Sequence, residues 1–233
     1  MTNYLGQLFA QQGCVGLWLL NGNSNDSSGG GFNGADTDIT YSLANGKFGQ
    51  GAGFNGSTSK IIISTAAGSP MRQTAYLTYL VWAKLANGGA TKMGVASNGG
   101  QGSGGLLFQQ GGGHVWQWTP TTPPSDRGFT ATGGGITADT WGCFGFTIAF
   151  AGTPVAKFYT NGLPLITTIS TADVSNGVPT TSYNNTNGDA LGARYVNSFA
   201  YTNGTLGMVG IFNVSKSDAW FRKQYALGRG LFI

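Results

Sequence analysis

The chain has 233 residues, a formal net charge of +4 and only 9% charged side chains. The positive balance comes from scarce acid: all eight acidic residues are Asp, against twelve Lys and Arg. The only adjacent basic pair is Arg222-Lys223, which argues against the clustered footprint of a nucleic-acid binder. Aromatics at 12% and apolar residues at 40% argue against disorder, and a chain of this length buries about 70% of its unfolded surface without a staple.

In chain order, Thr2 to Gln12 predicts a short helix with Tyr4, Leu5, Leu8 and Phe9 as its apolar stripe and Gly13 as its stop. Cys14 to Leu20 is an apolar strand closed by Asn21-Gly22, and a polar loop follows to Asp38. Short strands are expected over 39–43, 51–55 and 60–64, then a longer one over 75–85 with both faces buried. Strands over 91–97, 104–109 and 114–119 lead to Pro120–Gly135, too rich in Pro and Gly for regular structure.

Trp141 to Ile169 organises the rest. Phe144, Phe146, Ile148 and Phe150 alternate with Cys143, Gly145, Thr147 and Ala149, the period of a strand with one heavy face. A second strand runs from Val155 to Thr160, and Asn161-Gly162 reverses the chain into a third, Leu163 to Ile169. Asn-Gly suits a two-residue hairpin because both positions need positive φ. Strands at 190–195 and 206–214 precede a final helix over 218–227, started by Ser215 or Ser217 and stopped by Gly228. That helix sets Trp220, Gln224 and Leu227 along one side, with Phe221 and Tyr225 adjacent. Asn-Gly occurs ten times in the chain, and with many short strands this argues an antiparallel sandwich or barrel.

Several segments, in order, resemble the laminin-G-like, concanavalin A-like lectin and glucanase jelly roll. They are Gly16–Gly22 followed by Asp26-Ser27-Ser28-Gly29, Gly46–Gly51 leading to Phe54-Asn55-Gly56, Leu77–Lys84, Trp141, Lys157–Gly162, Leu191-Gly192 and Gly204–Tyr225. The resemblance spans roughly residues 14–228 and implies an all-β, two-sheet antiparallel jelly-roll sandwich with short N- and C-terminal helices. It divides the chain into an arm, 1–13, and one domain, 14–233. One departure stands out: the family's closing strand usually carries an acidic pair, where this chain has Leu206-Gly207-Met208-Val209. The N-terminal helix and the ending ALGRGLFI resemble versions found in bacteriophage virion proteins.

Candidate sites follow from residue types. Two carboxylates on one strand are wanting for glycoside hydrolysis, and the single His114 has no nucleophile motif beside it, so a non-catalytic chain is expected. His114, Trp116 and Trp118 share one strand face, where exposed rings would stack on sugars; the competing reading is core or subunit interface. Asp26, with the carbonyls of 28–33, is a thin start for calcium, which wants six to eight oxygens; an Asx turn is the favoured alternative, and no cofactor is expected. Cys14 and Cys143 read as buried free thiols.

Tyr4, Leu8, Phe9, Leu231, Phe232 and Ile233 are the candidate docking residues. No run of 18 apolar residues and no signal-peptide pattern is present. The expectation is a structural or binding module on a virus particle, such as a capsid decoration protein, made in the host cytoplasm. Its partners would be a capsid or tail lattice and copies of itself, with no nucleic acid or membrane. The alternative is a carbohydrate-binding lectin domain.

Overall fold

The structure, a computed structural model, describes residues 13–64, 69–73, 75–86, 93–98, 104–110, 113–119, 127–131, 133–150, 155–169, 189–193 and 201–230. The predicted helix over 2–12 and the docking residues Tyr4, Leu8, Phe9, Leu231, Phe232 and Ile233 lie outside them. The described residues form sixteen strands: β1 (Cys14–Trp18), β2 (Ala35–Thr37), β3 (Thr40–Ser42), β4 (Gly51–Asn55), β5 (Lys60–Ser64), β6 (Tyr76–Leu85), β7 (Met93–Asn98), β8 (Gly104–Gln110), β9 (Gly113–Thr119), β10 (Arg127–Ala131), β11 (Trp141–Ala149), β12 (Val155–Thr160), β13 (Leu163–Pro164), β14 (Thr167–Ile169), β15 (Asp189–Leu191) and β16 (Asn203–Phe212). One helix, α1 (Asp218–Gly230), follows.

The strands make two eight-stranded sheets with every pairing antiparallel. The front sheet runs β13-β12-β11-β6-β16-β4-β3, with β1 also paired to β16; the back sheet runs β14-β10-β9-β8-β7-β15-β5-β2. The expected two-sheet sandwich is the fold observed.

Between the sheets lies the main core. From the front sheet come Leu77, Tyr79, Val81, Phe144, Phe146, Ile148, Phe158, Val209 and Ile211; from the back sheet come Ile61, Ile63, Val95, Phe129, Ala131 and Leu191. The heavy face read from Phe144, Phe146 and Ile148 is therefore the inner face. β6 is buried on both sides, as its continuous apolar sequence predicts.

A second cluster covers the outer face of the front sheet, where Leu17, Leu80, Trp82, Cys143, Tyr159, Met208 and Phe212 meet Phe221 of α1. Close approach of this helix depends on glycine. A Cβ on Gly145 would lie 2.5 Å from the Phe221 ring, and one on Gly162 would lie 2.9 Å from the Arg222 backbone. Asn161 and Gly162 both take positive φ, 52° and 78°, so the predicted turn serves both the hairpin and the helix seat.

Four expectations are corrected. The loop over 120–135 contains β10: Phe129 and Ala131 alternate into the core, a period that surrounding Pro and Gly conceal. The predicted strand over 163–169 divides, because Pro164 has no N–H to extend a ladder; Leu165 packs on the core and the chain passes into the back sheet. The helix does not stop at Gly228 but runs to Gly230; Gly228 instead lies flat against the Trp82 ring. The helix's buried side is Phe221, Gln224 and Gly228, while Leu227 is exposed.

Candidate functional site

A groove of about 570 Å³ opens on the outer face of the front sheet beside the start of α1. Its floor is Thr147 and Ala149 of β11 with Val155, Lys157 and Tyr159 of β12; its wall is Ser215 to Ala219. The floor exists because β11 carries its small residues outward and α1 begins only at Asp218. Ser217 caps the helix, its Oγ accepting from Trp220 N–H at 3.3 Å.

A directed hydrogen-bond chain runs beneath the groove. The Thr78 hydroxyl donates to the Val214 carbonyl at 2.8 Å, so its oxygen is left to accept from Thr147 at 2.8 Å. Thr147, having spent its proton, accepts from the Ser215 hydroxyl at 3.2 Å and from Lys216 N–H at 3.4 Å. Each hydroxyl has one proton to give and two lone pairs, so the chain has a single sense that ties β6 and β11 to the helix entry. Thr78 and Thr147 are both buried, and their pairing satisfies groups that would be costly alone.

At the helix end, Asp218 Oδ1 accepts from the Tyr159 hydroxyl at 2.8 Å and from Lys157 Nζ at 3.3 Å. The Tyr159 hydrogen bond, with smaller help from Lys157 and Arg222, holds the Asp218 carboxyl below its usual range. Burial, then the neighbouring carboxylate, pushes the Tyr159 phenol up. Lys216 lies over the Phe212 and Trp220 rings at 4.7 and 5.1 Å, and burial lowers its pKa. The groove thus presents an ionised carboxylate, ammonium groups, hydroxyls and an apolar strip, since Val155 is 61% exposed. Such a set hydrogen-bonds vicinal hydroxyls while an apolar patch meets C–H groups.

None of these residues was a candidate from the sequence. Thr147 and Ser215 are 68 positions apart, and only strand pairing joins them. The outward light face of β11 was the available signal.

The predicted site residues lie elsewhere. Positions 114, 116 and 118 pair with Ala131, Phe129 and Arg127, and Phe129 and Ala131 are buried in the core. Crosswise, Trp116 belongs to one row with Ile61, Leu191, Ala96, Leu107 and Phe129, of which Ile61, Leu191 and Phe129 are core residues. Directly paired residues share a face. Trp116 is thus in backbone register with Phe129, and the side chains of His114, Trp116 and Trp118 lie outside the described set.

Asp26 is engaged by four donors: Leu17 N–H and Ser28 N–H on Oδ1, and the Ser28 hydroxyl and Phe32 N–H on Oδ2, at 2.8–3.1 Å. It staples the loop after β1, whose Trp18 indole donates to the Phe32 carbonyl at 2.9 Å. A cation there would have to displace those donors. Among the described residues no three His, Cys, Asp or Glu side chains converge as metal ligands. Cys14 and Cys143 are free; burial pushes the Cys14 thiol up to about 12 and the Cys143 thiol further, leaving both poor nucleophiles.

No protein-family model and no curated protein sequence matches the chain. Solved structures do. Domain 4 of AbnA, a GH43 extracellular arabinanase from Geobacillus stearothermophilus in complex with arabinotriose, is 18% identical with a TM-score of 0.60, covering 91% of this chain and 97% of that one. The binding domain of Paraclostridial Mosquitocidal Protein 1 is 13% identical with a TM-score of 0.66, over 93% of this chain and 52% of that one. The binding domain of botulinum neurotoxin DC, in complex with rat synaptotagmin II, is 11% identical with a TM-score of 0.67, over 94% and 52%. The chain thus spans about half of these toxin domains and nearly all of the arabinanase domain. These likenesses agree with the two-sheet antiparallel β-sandwich described above.

Proposed function

We propose that this chain is a non-catalytic carbohydrate-binding module, with the groove at the start of α1 as its saccharide site. One observation carries the reading: the likeness to arabinanase domain 4, a structure in complex with arabinotriose, runs the length of both chains. A structure of botulinum neurotoxin type C, whose cell entry is dependent upon interaction with two ganglioside molecules, shares this fold over 52% of its chain, which supports glycan recognition over a purely structural role. In the groove, Asp218 and Lys157 would bond sugar hydroxyls, and Val155 would pack on the sugar ring. The setting we propose is the surface of a virus particle, where such a module would serve adhesion. That setting rests on the terminal resemblance alone.

The test is calorimetric titration of the whole chain with arabinotriose and a panel of neutral oligosaccharides, repeated on Asp218→Asn. Saccharide binding that weakens about tenfold or more, the scale of one charge-assisted hydrogen bond, in a variant with an unchanged melting transition supports the groove. Binding unaffected by the substitution moves the site elsewhere. A chain that binds no saccharide overturns the function.

A further inference from the structure

The opposite end of α1 carries a second, chemically different cluster. Trp82 lies at its centre on the outer face of the front sheet: Tyr225 stacks on it at 5.7 Å, Phe48 meets it edge-on at 5.5 Å, and Lys47 Nζ lies 4.7 Å over its ring. The Arg229 guanidinium lies 5.8 Å over Tyr225. One row further, Trp141 pairs directly with Lys84, and a Cβ on Gly207 would lie 3.1 Å from the Trp141 ring and 2.9 Å from Lys47.

Phe48, Trp141 and Tyr225 are partly exposed, as are Lys47 and Lys84, and Arg229 is exposed. Among the described residues neither Lys84 nor Arg229 has a carboxylate within ion-pair reach. Among the described residues the nearby acid is Asp139, held to the end of β6 by its N–H on the Leu85 carbonyl. Among the described residues, Lys84 and Arg229 with Asp139 leave the patch positive, in contrast to the groove, whose Asp218 is held ionised.

We propose that this patch is a second binding site, for a carboxylated saccharide such as a uronate or sialate unit. The inference rests on the carbohydrate-binding reading for its choice of a sugar. Aromatic edges and faces at the rim meet a sugar's C–H surface, and the cations meet its carboxylate. Burial already lowers the Lys47 pKa, so an approaching carboxylate restores electrostatic support that desolvation removed. Arg229 also faces the negative end of α1, so Lys84 carries more of the attraction than Arg229. A single-stranded nucleic acid also stacks on rings beside cations, but it needs a track of positive charge, and this chain's bases are few and scattered.

The experiment titrates the whole chain with trigalacturonate, with the uncharged galactotriose and with a short oligothymidylate, following tryptophan fluorescence. The same titrations are run on Lys84→Gln/Arg229→Gln, two surface changes whose folding is checked by thermal melting, and on Asp218→Asn. The expected result is trigalacturonate binding about tenfold or more tighter than galactotriose, weakened by added salt and reduced in the double variant, while Asp218→Asn weakens galactotriose. Trigalacturonate binding that is absent, or equal in parent and double variant, overturns this site even where neutral sugars bind the groove. Oligothymidylate binding as tight as trigalacturonate overturns the assignment to a saccharide. Loss of neutral binding alone bears on the groove and leaves this site standing.

Discussion

The front sheet turns its two faces to different neighbours, and its strands are written differently for each. Inward it meets another sheet about 10 Å away, a gap filled by Phe144, Phe146, Ile148 and Phe158 from two adjacent strands. Outward it meets a helix whose Phe221 ring stacks on Tyr159 at 3.8 Å. There the strand must be thin, and it carries Cys143, Gly145 and Thr147. Where the helix has not yet begun, the same thin face is left open and becomes the groove. One strand thus supplies bulk to the core on one side and space for a site on the other.

The largest effect is expected from breaking the inner face. Phe146 is fully buried, 4.9 Å from the Phe158 ring. Phe146→Ala should cost about 3–5 kcal/mol, from lost transfer energy and the cavity left behind. Chemical denaturation measures it, and a loss below about 1 kcal/mol would mean that the sheets are not held by this packing.

The outer face should break in the opposite sense, by addition. Gly145→Ala places a Cβ against Phe221 and the Tyr159 Cβ, and overpacking of this kind costs about 1–3 kcal/mol. Phe221→Leu in the same chain should relieve part of that cost. The two changes would then be non-additive, and strict additivity would show that helix and strand do not touch as described.

The contrast also explains how far the sequence could be read. Alternation along 143–150 tells which residues share a face, and the heavier set is the interior one. It does not tell what the lighter set faces, because small residues suit a helix seat, an exposed surface or a site equally well. The same limit governs His114, Trp116 and Trp118: their shared face is legible in the sequence, but which way it turns is not. β10 itself was hidden, its short alternation enclosed by a loop-like composition. Thr78, Thr147 and Ser215 meet through strand pairing over long separations, which no local pattern encodes.

A smaller effect should come from the hydroxyl chain, which belongs to the outer face alone. Thr147→Val keeps the shape of the side chain but leaves Thr78 without its donor and Ser215 without its acceptor. A loss of about 1–2 kcal/mol is expected. Thr78→Val/Thr147→Val should cost less than the sum of its parts, since removing both partners strands fewer groups. Denaturation of the two single variants and the double variant measures this.

The smallest effect is the most specific, because it isolates one hydroxyl. Tyr159→Phe keeps the ring on Phe221 and removes only the donor to Asp218. In the folded parent the Asp218 carboxyl titrates below its ordinary range, so the unfolded chain binds more protons in the interval between the two values. Stability from this group is therefore fully present above its unfolded pKa, about 3.9, and is lost as pH falls through the lower folded value. The Lys157 contact is between exposed groups and contributes little, so the tyrosine carries most of the shift. In the variant the Asp218 titration should move back toward the ordinary range, with a loss of about 0.5–1.5 kcal/mol at neutral pH that disappears in strong acid. Carboxylate chemical shifts followed by NMR between roughly pH 2 and 5 read this directly. An unmoved Asp218 titration would mean that the charged edge of the groove is set by something other than the strand beneath it.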